Sequence, residues 1–234
     1  MKQSYDLCVP EGEIKGVVLG IHGFGGSKNS GVLAALRKAL ADNGYATVTF
    51  DLPAHGDNRT DEPLRLDQCV DAVADAVAYA RTPGKPLSVF ATSFGAYLTL
   101  VHIAEEKGTY DRVVLRAPAV YMDETFARLV SWNDHPEAEV WNMSHDDQPL
   151  WVDRTFAEAL RTHRPEDMQF GIDRIEVLQG TLDDVVDWHK NADFFARHFG
   201  DKCRIHYLEG LGHAARTPRD VQAIVEAAIP LLTR

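Results

Sequence analysis

The sequence predicts an α/β fold in which helices cover both faces of a mostly parallel sheet of about seven strands. Short apolar runs of strand length alternate with longer stretches whose apolar residues recur every three or four positions, as in amphipathic helices. Most of the short runs end in turns that are rich in glycine or polar residues. Such alternation is typical of parallel sheets, whose functional residues gather at the carboxyl ends of the strands.

Each predicted element has its own local signal. Helix 66–81 has an apolar face around Cys69 and Val73 opposite a polar row that includes Asp71, and Pro218 suits the first turn of the last helix. Strands are predicted at residues 17–21, 45–50, 87–92, 112–117, 175–179 and 203–208. Helices are predicted at residues 31–43, 66–81, 96–104, 187–199 and 218–232.

The alternation of strands and helices stops between residues 118 and 172, a stretch too long for a plain connection between strands. We therefore predict that residues 1–117 and 173–234 form the core, and that residues 118–172, called the insert below, form a helical cap or lid. The insert contains three of the four tryptophans, Trp132, Trp141 and Trp151. These side chains are expected either to line a substrate pocket or to fill the core of the insert.

The charge pattern disfavours several classes of partner. The net charge of −11 at pH 7 is spread along the chain without a basic block, which argues against binding to nucleic acid or to an anionic membrane. Asp6 lies where a signal peptide needs an apolar core, and no apolar run approaches the ~18 residues of a membrane span. We expect a cytoplasmic protein, as a monomer or a homodimer.

The sequence predicts no metal ion. Three cysteines, Cys8, Cys69 and Cys203, lie far apart and are expected to be free thiols in a reducing compartment. Histidines and aspartates of the insert match no metal-ligand spacing, and a solvated surface explains them. They are His135, His145, His163, Asp134, Asp146 and Asp147.

A serine stands at a predicted strand-to-helix turn. The run 87–92 ends at Ser93, and a helical pattern begins three residues later. Ala91 and Gly95, two positions to either side of the serine, are small enough to let strand and helix pack closely. Such a turn pushes the serine hydroxyl out of the carboxyl edge of the sheet.

Two further polar residues follow later predicted strands. Asp183 comes after strand 175–179 and His213 after the last strand, so both are expected to meet Ser93 at one edge of the sheet. A serine hydroxyl needs a histidine to take its proton, and that histidine needs a carboxylate to orient it. Asp184 and Asp187 lie near the same strand end and compete with Asp183 for this role.

Together these motifs resemble the α/β-hydrolase superfamily, in particular the small capped intracellular serine esterases of the cinnamoyl or feruloyl esterase type. The matching motifs are residues 22–26 (HGFGG), 51–56, 91–95 (ATSFG), 180–186 (GTLDDVV) and 210–213 (GLGH). They span the chain from about residue 15 to its end, apart from the insert. The resemblance places the insert after the position of the sixth strand in the family's fold. Ala91 departs from the usual first glycine. The N-terminus is too short for the usual opening pair of antiparallel strands, which leaves about seven strands instead of eight.

The resemblance implies a role for each site residue. Ser93 is expected to attack an acyl carbonyl, His213 to act first as base and then as acid, and Asp183 to orient His213. The backbone N–H groups of Phe24 and Phe94 are expected to form the oxyanion hole.

The loop after the first predicted strand carries two weaker candidates for contact with substrate, His22 and Gly23. His22 is expected either to hold the loops that shape the oxyanion site or to touch the substrate. Asp51 and His55 are expected to hold their own turn.

The activity that the resemblance implies is cleavage of a small or medium acyl ester through an acyl-enzyme, without a cofactor. Peptidases, thioesterases and acyltransferases use the same triad, and the fold does not separate them. A peptidase would need an acidic anchor for the amino terminus of its substrate, for which the insert offers Asp123, Glu124, Glu137 and Glu139. A further alternative is a small-molecule receptor that keeps the fold and the triad without catalysis.

Overall fold

The computed structural model describes residues 4–106, 110–144 and 147–233. Its strands are β1 (Tyr5–Cys8), β2 (Gly16–Ile21), β3 (Tyr45–Phe50), β4 (Leu87–Thr92), β5 (Arg112–Arg116), β6 (Val140–Asn142), β7 (Trp151–Asp153), β8 (Ile175–Gly180) and β9 (Cys203–Leu208). Its helices are α1 (Gly31–Asp42), α2 (Leu66–Arg81), α3 (Phe94–Glu106), α4 (Met122–Ser131), α5 (Arg154–Thr162), α6 (Trp188–Phe199) and α7 (Pro218–Leu232).

The main sheet has seven strands in the spatial order β1-β3-β2-β4-β5-β8-β9. β1 runs antiparallel to β3, and the other neighbours are parallel. This arrangement confirms the fold class predicted from the sequence. The six predicted strands are present, and the seventh is β1, which belongs to the antiparallel opening of the sheet that the N-terminus was expected to lack. β1 is a partly exposed edge strand with Leu7 facing solvent, so it has little apolar pattern to identify it.

Two cores form because successive side chains of a strand point to opposite faces of the sheet. On one face, Val18 and Phe90 pack with the buried sides of α1 and α7. On the other face, Leu19 and Val89 pack with α2, α3 and α6. The central strands are therefore buried on both sides, and their carboxyl ends emerge at one edge between the helices.

The insert follows β5, the fifth strand along the chain, and it is not purely helical. It contains α4 and α5, and between them β6 and β7 pair antiparallel as a small separate sheet. These strands are three residues long, too short for an alternating pattern to show in the sequence. A short 3-10 turn, Pro165–Asp167, leads from α5 back towards β8.

Candidate active site

Ser93 stands between β4 and α3 on strained backbone. Its φ of 53° lies in the left-handed region that non-glycine residues rarely adopt. A Cβ at Gly95 would come within 2.4 Å of the His22 carbonyl oxygen, so only glycine lets α3 begin this close to the loop after β2. Ala91, where the resemblance expects glycine, is fully buried inside β4 and keeps its place in the strand ladder. The elbow thus accommodates its additional methyl group.

The hydroxyl of Ser93, the imidazole of His213 and the carboxylate of Asp183 form a continuous chain of hydrogen bonds. His213 Nε2 lies 2.9 Å from Ser93 Oγ, and His213 Nδ1 lies 2.9 and 3.1 Å from the two Asp183 oxygens. The His213 side chain is 14% exposed and that of Asp183 is fully buried. The structure therefore brings together the three residues that the sequence singled out.

Asp183 is held from several sides. Its Oδ1 accepts the N–H groups of Val185 and Val186 at 3.0 and 2.9 Å, and its Oδ2 accepts from Gln179 Nε2 at 3.2 Å. Burial raises the pKa of Asp183, but the hydrogen bond and charge of His213 and the two backbone N–H groups outweigh it, so the pKa lies below its ordinary value. An ionised Asp183 only accepts, so Nδ1 of His213 carries its proton and Nε2 is left to accept from Ser93.

The two competing aspartates lie elsewhere. Asp184 is exposed and lies 3.9 Å from the Arg216 guanidinium. Asp187 caps α6, where its Oδ1 accepts the backbone N–H of Lys190 at 3.0 Å. Of the three candidate carboxylates, Asp183 is the one that the structure joins to His213.

The expected oxyanion hole lies beside the serine. Phe94 is the first residue of α3, so its N–H has no partner inside the helix and points out of the positive end of the helix. Phe24 follows Gly23 in the loop after β2. A Cβ at Gly23 would lie 3.1 Å from the Ser93 Cβ and 3.8 Å from its Oγ. The loop therefore passes close enough to the nucleophile position for its backbone to reach a bound carbonyl.

His22 holds this loop rather than facing the site. Its Nε2 accepts the N–H of Leu52 at 3.0 Å, its Nδ1 lies 2.8 Å from the Gly23 carbonyl oxygen, and the residue is 1% exposed. Burial lowers the pKa of His22, in keeping with a neutral ring that donates through one nitrogen and accepts through the other. Both ring nitrogens of His22 are therefore engaged within the protein.

A buried ion pair, which the sequence did not reveal, ties the same loop to the turn after β3. Lys28 Nζ lies 3.2 Å from Asp51 Oδ2 and 2.6 Å from Asp57 Oδ2. Asp51 also accepts the N–H groups of Lys28 and Asp57 at 2.7 and 2.9 Å. Burial raises the pKa of Asp51, but these hydrogen bonds and the Lys28 charge outweigh it and hold the pKa below its ordinary value. Asp51 thus holds its turn, as expected.

Two other buried polar residues support the triad and were also missed. Arg116, the last residue of β5, donates from Nη2 to the carbonyl of Gly212 at 3.0 Å, directly before His213. Gln179 in β8 donates to Asp183 and is 1% exposed. Both are polar residues near the carboxyl ends of buried strands, and that position was the signal that could have identified them.

The tryptophans of the insert occupy different environments. Trp132, at the end of α4, is 61% exposed. Trp141 is buried, packs edge-on against Phe126 and donates its indole N–H to the carbonyl of His135 at 3.0 Å. Trp151 lies half-buried in β7 and accepts a backbone hydrogen bond from the loop before α2. Trp141 thus fills the core of the insert, the alternative to lining a pocket.

Neither a cluster of metal ligands nor a membrane-spanning helix is present in the described part of the chain. No group of three or more His, Cys, Asp or Glu side chains there is arranged to hold a metal ion. His145 and Asp146 lie outside the described residues. No helix within residues 4–106, 110–144 and 147–233 is long and apolar enough to cross a membrane.

Comparison with known proteins places this geometry in a family. A family model described as serine aminopeptidase, S33, matches residues 12–163, from just before β2 to the end of the insert's second helix. The chain belongs to this family of α/β hydrolases. No curated protein sequence matches this hydrolase significantly.

Solved structures similar to this hydrolase share its whole architecture. Est1E from Butyrivibrio proteoclasticus with bound ferulic acid is 19% identical, with a TM-score of 0.79, and the match covers 98% of this chain and 95% of that one. A monoacylglycerol lipase from Paleococcus ferrophilus is 15% identical, with a TM-score of 0.77 and coverage of 100% and 99%. Mouse α/β hydrolase domain-containing protein 10 is 13% identical, with a TM-score of 0.78 and coverage of 98% and 93%. At these identities the likeness shows the fold.

Proposed function

We propose that this hydrolase cleaves carboxylic esters of small or medium acyl groups, with Ser93 as nucleophile. The observation that carries the proposal is the hydrogen-bonded chain from Ser93 Oγ through His213 to the fully buried Asp183. The esterase and lipase among the similar structures support the same class of substrate.

In the first half of the reaction, Ser93 Oγ attacks the ester carbonyl carbon while His213 Nε2 takes the hydroxyl proton. The negative charge that develops on the carbonyl oxygen is received by the N–H groups of Phe24 and Phe94. His213 then gives its proton to the alcohol oxygen as the C–O bond breaks, which leaves an acyl group on Ser93. Asp183 stabilises the imidazolium between these two proton transfers.

In the second half, water attacks the acyl-enzyme. His213 takes a proton from that water, and the same N–H groups receive the second oxyanion. The proton is returned to Ser93 Oγ as the carboxylic acid leaves, so that the enzyme regains its starting state. No step requires a cofactor.

Ion pairs in the insert engage three of the acids that could anchor a peptide substrate, which supports an ester over a peptide. Recognition of a free amino terminus requires an acidic group that is available to the substrate. Of the four acids named from the sequence, three are paired with a lysine or arginine of the protein. The pairs are Asp123 with Arg164 at 3.7 Å, Glu124 with Lys190, and Glu139 with Arg154 at 2.6 Å.

The test is Ser93→Ala, assayed with p-nitrophenyl esters. Turnover is expected to fall by ~10⁴ to 10⁶, as in other nucleophile knockouts, because only binding and the oxyanion hole remain. Ser131→Ala is the matched control, since the same change on the exposed end of α4 should leave turnover at the level of the unmodified enzyme.

A fluorophosphonate probe separates catalysis from the receptor alternative. The unmodified chain should be labelled at Ser93, and the Ser93→Ala variant should not. Absence of labelling in the unmodified, folded chain would favour the non-catalytic receptor. A parallel panel of aryl esters, acyl-thioesters and aminoacyl amides ranks the substrate classes, and preference for the amides would overturn the ester proposal in favour of a peptidase.

A further inference from the structure

One side chain of the insert is bonded to the loop that holds the triad acid. Arg128, in the last turn of α4, donates from Nη2 to the carbonyl oxygen of Val185 at 2.7 Å. Val185 lies two residues after Asp183, in the loop between β8 and α6. In the described part of the chain, Arg128 belongs to no ion pair. The positive charge of its guanidinium is therefore directed at a peptide group rather than neutralised by a carboxylate.

The peptide group that accepts from Arg128 also donates to the triad acid. The carbonyl of Val185 and the N–H of Val186 belong to one peptide unit, and this N–H donates to Asp183 Oδ1 at 2.9 Å. A continuous chain of hydrogen bonds thus runs from Arg128 through the peptide and Asp183 to His213, and from there to the nucleophile. Hydrogen bonds in such a chain polarise one another, so a cation on the carbonyl strengthens the N–H as a donor. The charge of Arg128 thereby favours the ionised carboxylate.

The helix that carries Arg128 is bonded to the helix that follows the acid loop. Near the start of α4, Glu124 forms an ion pair with Lys190 of α6. Asn191, buried on α6, donates to the carbonyl of Pro118 at 2.7 Å, just before α4. These contacts set the position of α4 relative to the loop that precedes α6. Arg128 therefore reaches that loop from a fixed base.

We propose that Arg128 is a positioning residue for the reaction, which holds Asp183 ionised and correctly placed behind His213 through the peptide between Val185 and Val186. This inference rests on the proposed function. The insert thus takes part in catalysis through α4, although it carries none of the triad residues. Without the guanidinium, the loop keeps its N–H groups but loses the charge that strengthens one of them. The effect falls on the reactivity of the serine rather than on substrate binding.

The test measures the rate at which a fluorophosphonate labels Ser93, together with kcat and KM for p-nitrophenyl acetate. In Arg128→Met, the labelling rate and kcat are expected to fall ~10-fold, the rate equivalent of one hydrogen bond from a charged donor, while KM stays unchanged. Arg128→Lys keeps the positive charge and should recover part of the loss. A loss of the same size in Arg128→Lys would overturn the role of the charge. If Arg128→Met does not fold, Arg128→Gln takes its place.

The double variant Arg128→Met with Asp183→Asn separates an effect through the triad acid from a loosened insert. With the carboxylate already absent, loss of Arg128 should slow labelling by less than ~3-fold further, whereas independent effects would multiply. Lys190→Met is the matched control, because it removes a neighbouring cation whose side chain is bonded to Glu124 of α4 rather than to the loop. Its labelling rate should stay within about twofold of the unmodified enzyme, as expected for a partly exposed ion pair.

The outcomes separate this inference from the proposed function. An unchanged labelling rate and kcat in folded Arg128→Met overturns the inference and leaves the esterase proposal standing. The same holds for a full ~10-fold loss in the Asp183→Asn background, or for an equal loss in Lys190→Met. Absence of labelling in the unmodified, folded chain instead overturns the esterase proposal itself.

Discussion

Replacement of Asp183 by asparagine tests the central electrostatic feature of the site. The side chain keeps its shape, and its remaining oxygen can still accept the N–H groups of Val185 and Val186. In the unmodified protein, Oδ2 of Asp183 accepts hydrogen bonds from Gln179 and His213. In the asparagine variant an NH₂ group takes the place of Oδ2, and it cannot accept a hydrogen bond from either donor. His213 Nδ1 would therefore lose the closer of its two acceptors and the negative charge behind both, so the tautomer whose Nε2 can take the proton of Ser93 would lose stabilisation.

The size of the effect follows from the geometry. A unit positive charge on the imidazolium at 2.9 Å from a unit negative charge on the carboxylate is stabilised by roughly 5–6 kcal/mol at an effective dielectric constant of about 20. This corresponds to ~10⁴ in rate, and the same substitution in another Ser-His-Asp enzyme has an effect of about that size. We therefore expect kcat to fall by ~10⁴.

The assay is steady-state hydrolysis of p-nitrophenyl acetate by folded Asp183→Asn. Asp184→Asn and Asp187→Asn are matched controls, since one side chain is exposed near Arg216 and the other caps α6. Both controls should stay within about tenfold of the unmodified enzyme. A folded Asp183→Asn that retains more than about a tenth of the activity, or an Asp184→Asn equally impaired, would refute the assignment of the triad acid.

Two further predictions concern stability. Lys28→Met removes the buried cation beside the Asp51 carboxylate, which is 3% exposed. The free energy of unfolding in urea is expected to fall by about 3–5 kcal/mol, and the double variant with Asp51→Asn should recover part of this loss. A loss below about 1 kcal/mol for Lys28→Met would contradict the role of the pair. The folded-state pKa values of Asp51, Asp183 and Glu176 lie below their ordinary values, for Glu176 because hydrogen bonds from His206 and Arg174 outweigh its burial. Depressed carboxyl pKa values contribute stability above an unfolded-state pKa of ~4 that is lost as the pH falls through the folded values. The urea midpoint should therefore decline below about pH 5, and a midpoint that stays flat down to about pH 3 would contradict this linkage.

Features with a local sequence signal were predicted well. The helices Leu66–Arg81 and Pro218–Leu232 begin and end where their patterns of apolar residues and, for the second, its proline indicate. The six parallel strands of the main sheet were predicted to within a residue at each end. For the five inner ones the reason is that buried parallel strands are nearly continuous apolar runs. The strand β1 and the pair β6 and β7 were missed because they are short and partly exposed.

Features that depend on distant contacts were missed. Nothing near Lys28 in the sequence shows that its ammonium is buried, because its partner Asp51 lies in the next loop. The tryptophans of the insert were named as candidate pocket residues because of their residue type, without regard to their position on a helix or strand. The spacing of Phe156 and Leu160, four positions apart on one helical face, would have identified the buried side of α5. Gln179 could have been recognised as a polar residue near the carboxyl end of a buried strand.

The near-contact between Gly95 and the carbonyl of His22 has a consequence for how this enzyme can be altered. Because the backbone at Gly95 and that of the loop after β2 are packed together without room for a single methyl group, neither can shift unless the other follows. Adaptation to a new ester must then come from the walls around this rigid pair. Directed evolution for altered substrate range should accordingly leave residues 20–26 and 93–97 untouched and accumulate its changes elsewhere.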